Sequence, residues 1–199
     1  MNFDAPSPDP IAACQAWFEE ARERCTVPNT HAMALSTVDT EGRPSCRMVL
    51  RKGFDARGPV FYTNRESRKG VELDASGCAS LLFFWDELER QIRIEGPIEV
   101  VSDEEADAYF ASRPRGSQIG AWASDQSREC ADRETMESRL REVESRYEGQ
   151  PVPRPPHWIG YRVRPQSIEF WQGGEFRVHD RVVYHVREDG TWSTRRLWP

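Results

Sequence analysis

Ala79-Ser80-Leu81-Leu82-Phe83-Phe84-Trp85, then Gln91-Ile92-Arg93-Ile94-Glu95-Gly96-Pro97-Ile98-Glu99-Val100-Val101, are two short apolar-rich runs separated by only a few polar residues. Each is of strand type, and the period of two turns Ile92 and Ile94 inward and Gln91 to the opposite face. Similar runs lie on both sides: His31 to Val38, Ser45 to Lys52 and Val60 to Thr63 before, Trp158 to Trp171, Arg177 to His185 and Trp192 to Leu197 after. Turn residues separate them at Glu41-Gly42-Arg43-Pro44, Asp55-Ala56-Arg57-Gly58, Gly173-Gly174 and Asp189-Gly190. Many short strands with few helices between them predict an α+β fold, mainly antiparallel β: a barrel carrying helices on its outside.

Three helices are signalled outside the candidate anion-binding segments. Asp9-Pro10 caps a stripe of Ile11, Cys14, Trp17, Ala21 and Cys25, predicting a helix over about 9–25. Ser102-Asp103-Glu104-Glu105 is a capping box whose helix Pro114 ends or kinks, with Tyr109 and Arg113 on one face. Asp132 opens a third, in which Met136, Leu140, Val143 and Tyr147 form a packing stripe closed by Gly149. Residues 150–156, Gln-Pro-Val-Pro-Arg-Pro-Pro, read as a stiff connector inside one domain spanning 1–199.

Composition narrows the function. A net charge of −6 argues against general nucleic-acid binding, so any basic cluster is local. Neither a membrane span nor a signal peptide is apparent, which predicts a cytoplasmic protein. Five scattered cysteines and four histidines without ligand spacing predict no metal site. G-x-G-x-x-G and the P-loop pattern are both missing, so phosphate must be held in another way.

Candidate anion ligands occur in three places. Ser67-Arg68-Lys69-Gly70 looks like a capped helix start directly after the strand ending Phe61-Tyr62-Thr63-Asn64. Two cations in a first turn oppose the helix dipole unless an anion binds there, although two solvated surface cations would give the same pattern. In Arg47-Met48-Val49-Leu50-Arg51-Lys52, alternation sends Arg47 and Arg51 to one face and Lys52 to the other. The run Phe176 to Tyr184 reads as a strand with Arg177, His179 and Arg181 on one face, which calls for something negative between the arginines or for plain water.

Taken together, R-M-V-L-x-K at Arg47 to Lys52, F-Y-T-N-x-x-S-R-K-G at Phe61 to Gly70, E-R-Q-I-R-I-E-G at Glu89 to Gly96, S-R-P-R-G-S-Q-I-G-A-W at Ser112 to Trp122, E-F-W-Q-G at Glu169 to Gly173 and R-V-H-D-R at Arg177 to Arg181 closely resemble the pyridoxine (pyridoxamine) 5'-phosphate oxidase family. The resemblance runs in order from about Asp9 to Pro199. It implies an FMN-binding split β-barrel, a homodimer with FMN at the subunit interface, and oxidation of pyridoxine or pyridoxamine 5'-phosphate to pyridoxal 5'-phosphate. In such enzymes a hydride passes from C4' to flavin N5, and O2 reoxidises the flavin to give H2O2. By matched position, Arg47, Met48, Val49, Leu50, Lys52, Tyr62, Thr63, Arg68, Lys69, Gln91, Gln126, Ser127, Trp171 and Arg181 are implied to bind FMN. Lys52, Tyr109, Arg113 and Ser117 are implied to hold the substrate phosphate, and Arg177 and His179 to lie against its ring as the catalytic pair. Arg51, Ile159 and Trp198 depart from the family pattern. Two alternatives stay open: a phenazine-pathway oxidase on the same barrel, and a non-catalytic carrier of FMN or pyridoxal 5'-phosphate.

Overall fold

The computed structural model describes all residues, 1–199. Helix α1 (Pro10–Arg24) starts where the sequence places it, with the Asp9 carboxylate accepting the N–H groups of Ile11 and Ala12. Strands β1 (Ala32–Val38), β2 (Pro44–Leu50), β3 (Gly53–Asp55) and β4 (Gly58–Asn64) follow. Then come α2 (Arg68–Ser76), β5 (Cys78–Trp85), β6 (Arg90–Val100), α3 (Asp103–Ala111), α4 (Arg115–Ala123) and α5 (Arg133–Arg146). The chain closes with β7 (Trp158–Val163), β8 (Ser167–Gln172), β9 (Asp180–Val186) and β10 (Trp192–Arg196).

All ten strands belong to one antiparallel sheet, ordered β10-β9-β8-β6-β5-β1-β2, with β3, β4 and β7 branching from the far half of β6. The sheet curls into a split barrel because β6 is long enough to serve two partners. Its residues 90–95 pair with β8, and Ile98 to Val100 pair with β7. The predicted α+β class therefore holds.

Inside the curl, Met33, Leu35, Phe61, Leu81, Phe83, Ile92, Ile94, Tyr161, Ile168, Phe170 and Tyr184 are fully buried, with Trp17 and Phe18 of α1 packed on them. Neighbours directly across a sheet share a face. Phe84, Gln91, Trp171 and Arg181 are such a row on the side away from this core. That outer face carries exposed apolar groups, among them Met48 (64 % exposed) and Phe84 (52 %).

Several expectations need correction. The run from Trp158 to Trp171 is two strands, because Pro165 lies in the break and cannot donate to a ladder. Helix α3 stops before Pro114 as expected, but an unforeseen helix, α4, begins just after that proline, which is well suited to a helix start. In α5 only Val143 is buried; Met136 (50 %) and Leu140 (39 %) face outward. The run from Phe176 is not strand until Asp180: residues 175–177 form a 3-10 turn, and Phe176 and Arg177 have φ of 56° and 64°.

Candidate active site

A cleft of about 490 Å³ opens where β2, β4, the start of α2 and the α3–α4 junction meet. Its β2 wall contains three consecutive residues, Met48, Val49 and Leu50. Consecutive residues point to opposite faces, so β2 presents its edge here, consistent with its terminal place in the sheet order.

The floor comes from the turn between β4 and α2. Ser67 caps α2, its hydroxyl accepting the Gly70 N–H at 3.4 Å and donating to the Asn64 carbonyl at 2.6 Å. Lys69 reaches back over this turn, its Nζ donating to Gln126 Oε1 at 2.7 Å and lying 3.4 Å from Thr63 Oγ1. Burial, reinforced by the nearby charge of Arg47, lowers the Lys69 pKa.

Arg68 turns away from the cleft. Its Nε donates to Glu72 Oε1 at 2.8 Å, while Glu72 Oε2 accepts from Ser45 at 2.6 Å, from Arg47 at 3.1 Å and from Thr37. Burial alone would raise the Glu72 carboxyl, but the donors Ser45, Thr37, Arg68 and Arg47 outweigh it and pull it down to about 2. Arg47 and Arg68 are thus both anchored on one buried carboxylate and stand behind the cleft wall. Arg51 does not share the Arg47 face: β2 ends at Leu50, and the Arg51 guanidinium lies 4.2 Å over the Phe18 ring.

The opposite wall is aromatic and basic. Tyr62 stacks on Tyr109 at 4.3 Å and on Trp158 at 4.9 Å. Gly160, paired across from Tyr62, makes room for this ring: a Cβ there would lie 2.6 Å from it. Arg113, just beyond α3, lines the same cleft together with Ser112, Pro114 and Ser117. Its Nη1 is buried with no hydrogen-bond partner. Lys52 completes the lining, with its pKa lowered by partial burial and by Arg113. No Asp or Glu lines the cleft, so Lys52, Lys69 and Arg113 give it an uncompensated positive field.

The structure brings together Met48, Val49, Leu50, Lys52, Tyr62, Thr63, Lys69, Tyr109, Arg113, Ser117 and Gln126. A second set lies outside this cleft. Gln91, Trp171 and Arg181 occupy the outer sheet row; Arg181 is held by Glu169 at 2.7 Å and by the Trp198 carbonyl at 3.0 Å. His179 packs against Trp171 with ring centroids 4.6 Å apart, and its Nδ1 accepts the Gly174 N–H at 3.2 Å. Arg177 is exposed on the same loop. Ser127, with φ 72°, lies in the loop after α4 and does not line the cleft that its neighbour Gln126 lines. Sequence reasoning missed Ser112, Pro114 and Trp158 as cleft residues. Trp158 comes two residues after the proline connector, which was the available signal.

Two family models match the chain: pyridoxamine 5'-phosphate oxidase over residues 18–147, and the pyridoxine 5'-phosphate oxidase C-terminal dimerisation region over 158–199. The chain belongs to the pyridoxine/pyridoxamine 5'-phosphate oxidase family. Members named pyridoxine/pyridoxamine 5'-phosphate oxidase include one from Myxococcus xanthus (strain DK1622), 57 % identical over 96 % of this chain and 92 % of the relative. Another, from Rubrobacter xylanophilus, is 57 % identical over 98 % of this chain and 89 % of the relative. Among solved structures, PhzG from Burkholderia lata 383, in complex with tetrahydrophenazine-1-carboxylic acid, superposes with a TM-score of 0.92 at 35 % identity, covering 99 % of this chain and 96 % of PhzG. A pyridoxamine 5'-phosphate oxidase-related, FMN binding protein from Nostoc punctiforme shares the fold at TM-score 0.76 and 16 % identity, over 98 % of this chain and all of that one. No helix of this family member is long and apolar enough to cross a membrane.

Proposed function

We propose that this chain is an FMN-dependent oxidase that converts pyridoxine 5'-phosphate and pyridoxamine 5'-phosphate to pyridoxal 5'-phosphate, working as a cytoplasmic homodimer with 1–199 as one domain. The observation that carries this reading is the acid-free cleft in which Lys52, Lys69 and Arg113 flank the Tyr62–Tyr109–Trp158 stack. A phosphate and a flat ring are what such a lining accommodates.

FMN fits the residues present. The capped start of α2 offers backbone N–H groups, and Lys69 adds a charge beside the hydroxyl of Thr63. Arg68, anchored on Glu72 through Nε, keeps its terminal N–H groups for a phosphate on the α2 side, while the terminal N–H groups of Arg47 are taken up by Leu35, Thr37, Ser45 and Glu72, so that Arg47 contributes charge from behind the wall. Met48, Val49 and Leu50 supply an apolar strand edge for a ring system. When bound, FMN supplies a two-electron acceptor that O2 can reoxidise.

The chain's own residues bind and orient the substrate. Arg113, Lys52, Tyr109 and Ser117 grip the substrate phosphate, fixing where its C4' carbon sits. Arg177 and His179 hold the face of the pyridine that turns away from the flavin, with positioning as the main role of His179. Because these two residues, with Gln91, Trp171 and Arg181, lie outside the cleft, a partner subunit delivers them. The exposed Met48 and Phe84 on the same outer face support burial against a second copy.

Among rivals, a phenazine-type oxidase has no need for the phosphate-directed group of Tyr109, Arg113 and Ser117, and a carrier would not turn over. Reconstituting the protein with FMN and adding each phosphorylated vitamer in air tests all three. Aldehyde formation with matching oxygen uptake is the expected result. Binding without peroxide release would leave only a carrier.

A further inference from the structure

We propose that Trp158 is a positioning residue for the substrate phosphate: its indole face holds the Arg113 guanidinium in place without neutralising it. This rests on reading the cleft as the site of a phosphorylated pyridine.

Most partly buried arginines of the fold are tied to carboxylates: Arg47 to Glu72, Arg154 to Asp103 and Asp107, Arg162 to Asp55 and Glu105. Arg51, held over Phe18, is an exception but does not line the cleft. Arg113 has no such partner. Its guanidinium instead lies 4.9 Å from the Trp158 ring centroid and 5.4 Å from that of Phe110, with Nη1 buried and unpaired. Lys52 on the same cleft repels it.

A carboxylate would orient Arg113 and cancel its charge at the same time. An aromatic face orients a cation through its quadrupole and leaves the charge free for an incoming anion. The indole itself is fixed. It is buried at the start of β7, parallel to Tyr62 (4.9 Å, 6°) and edge-on to Phe110 (5.0 Å, 72°). The stack therefore keeps Arg113 from swinging toward water before the ligand arrives, which lowers the ordering cost of binding.

The test compares FMN-loaded wild type with Trp158→Leu and Trp158→Phe. Trp158→Leu is expected to raise KM for pyridoxine 5'-phosphate, the Kd of pyridoxal 5'-phosphate and the inhibition constant of inorganic phosphate about tenfold, with kcat and the Kd for FMN changed less than about twofold. Trp158→Phe, with a weaker ring quadrupole, is expected to fall between. Unphosphorylated pyridoxal should bind all three proteins alike. Equal losses for pyridoxal and its phosphate would overturn the proposal, because the indole would then be only a wall. So would unchanged phosphate affinity. If Trp158→Leu does not fold, Trp158→Phe carries the test, and its effect must vanish in an Arg113→Ala background. A wild type that neither oxidises pyridoxine 5'-phosphate nor binds pyridoxal 5'-phosphate would instead sink the underlying functional reading.

Discussion

At the scale of single residues, the cations in the cleft and those behind its wall differ in whether a carboxylate has claimed them. Arg113 is unclaimed, so its loss should be felt in binding: Arg113→Ala is expected to raise KM for pyridoxine 5'-phosphate by roughly 30-fold, with kcat changed by less than about threefold. Arg177→Ala or His179→Ala should lower kcat as well, since both residues set where C4' lies. An unchanged KM for Arg113→Ala in steady-state kinetics would refute the assignment. Glu72 is the opposite case, a buried carboxylate claimed by four donors. Folding lowers its pKa from an ordinary 4.5 to about 2, so its ionised form stabilises the fold above pH 4.5, and that contribution fades as pH falls toward 2. Glu72→Gln leaves Arg47 without its counter-charge and should cost roughly 3 kcal/mol at neutral pH. In thermal melts the variant's loss of stability between pH 4.5 and 2 should also be shallower than that of wild type.

At the scale of elements, the sequence was most readable where backbone chemistry is local. Asp9, Ser67, Ser102 and Asp132 each cap the helix they were expected to cap. Period-two alternation located most of the strands, because one face of each packs on a common core. It misread residues 176–179 as strand, where alternation continues back from β9 but the backbone does not. Tertiary placement decides that segment: a Cβ on Gly174 would lie 2.1 Å from the Val178 carbonyl, and Phe176, 93 % exposed, adopts positive φ. No pattern of side-chain types encodes such a tight turn, apart from the paired glycines that open it. The loop holds His179 through the Gly174 N–H, and its strain is confined to exposed backbone. Gly174→Ala is therefore expected to lower kcat at least about tenfold while shifting Tm by no more than a few degrees. A variant that keeps full kcat would show that the loop shape does not matter to catalysis.

At the scale of the whole molecule, the division of site residues into two sets was not legible in the sequence, which orders residues along one chain and says nothing of which copy supplies them. The resemblance assigned Lys69, Arg113, Arg177 and His179 to a shared site, but the fold puts the first two in the cleft and the last two on the outer face beside Trp171. A dimer in which each cleft receives the partner's 174–179 loop reconciles the two arrangements, and it has a consequence that point variants alone do not reach. Arg113→Ala damages only the cleft half of a site, and Arg177→Ala only the loop half. Assayed at pyridoxine 5'-phosphate well below the wild-type KM, where both variants are severely impaired, the two can be mixed and allowed to exchange subunits: a mixed dimer then carries one site with both lesions and one with neither. Random re-pairing makes about half of the dimers mixed, so about a quarter of all sites become intact and activity should rise to about a quarter of wild type. Were each site built within one chain, no mixed dimer would contain an intact site, and at that low substrate concentration the mixture would show only the average of its two components.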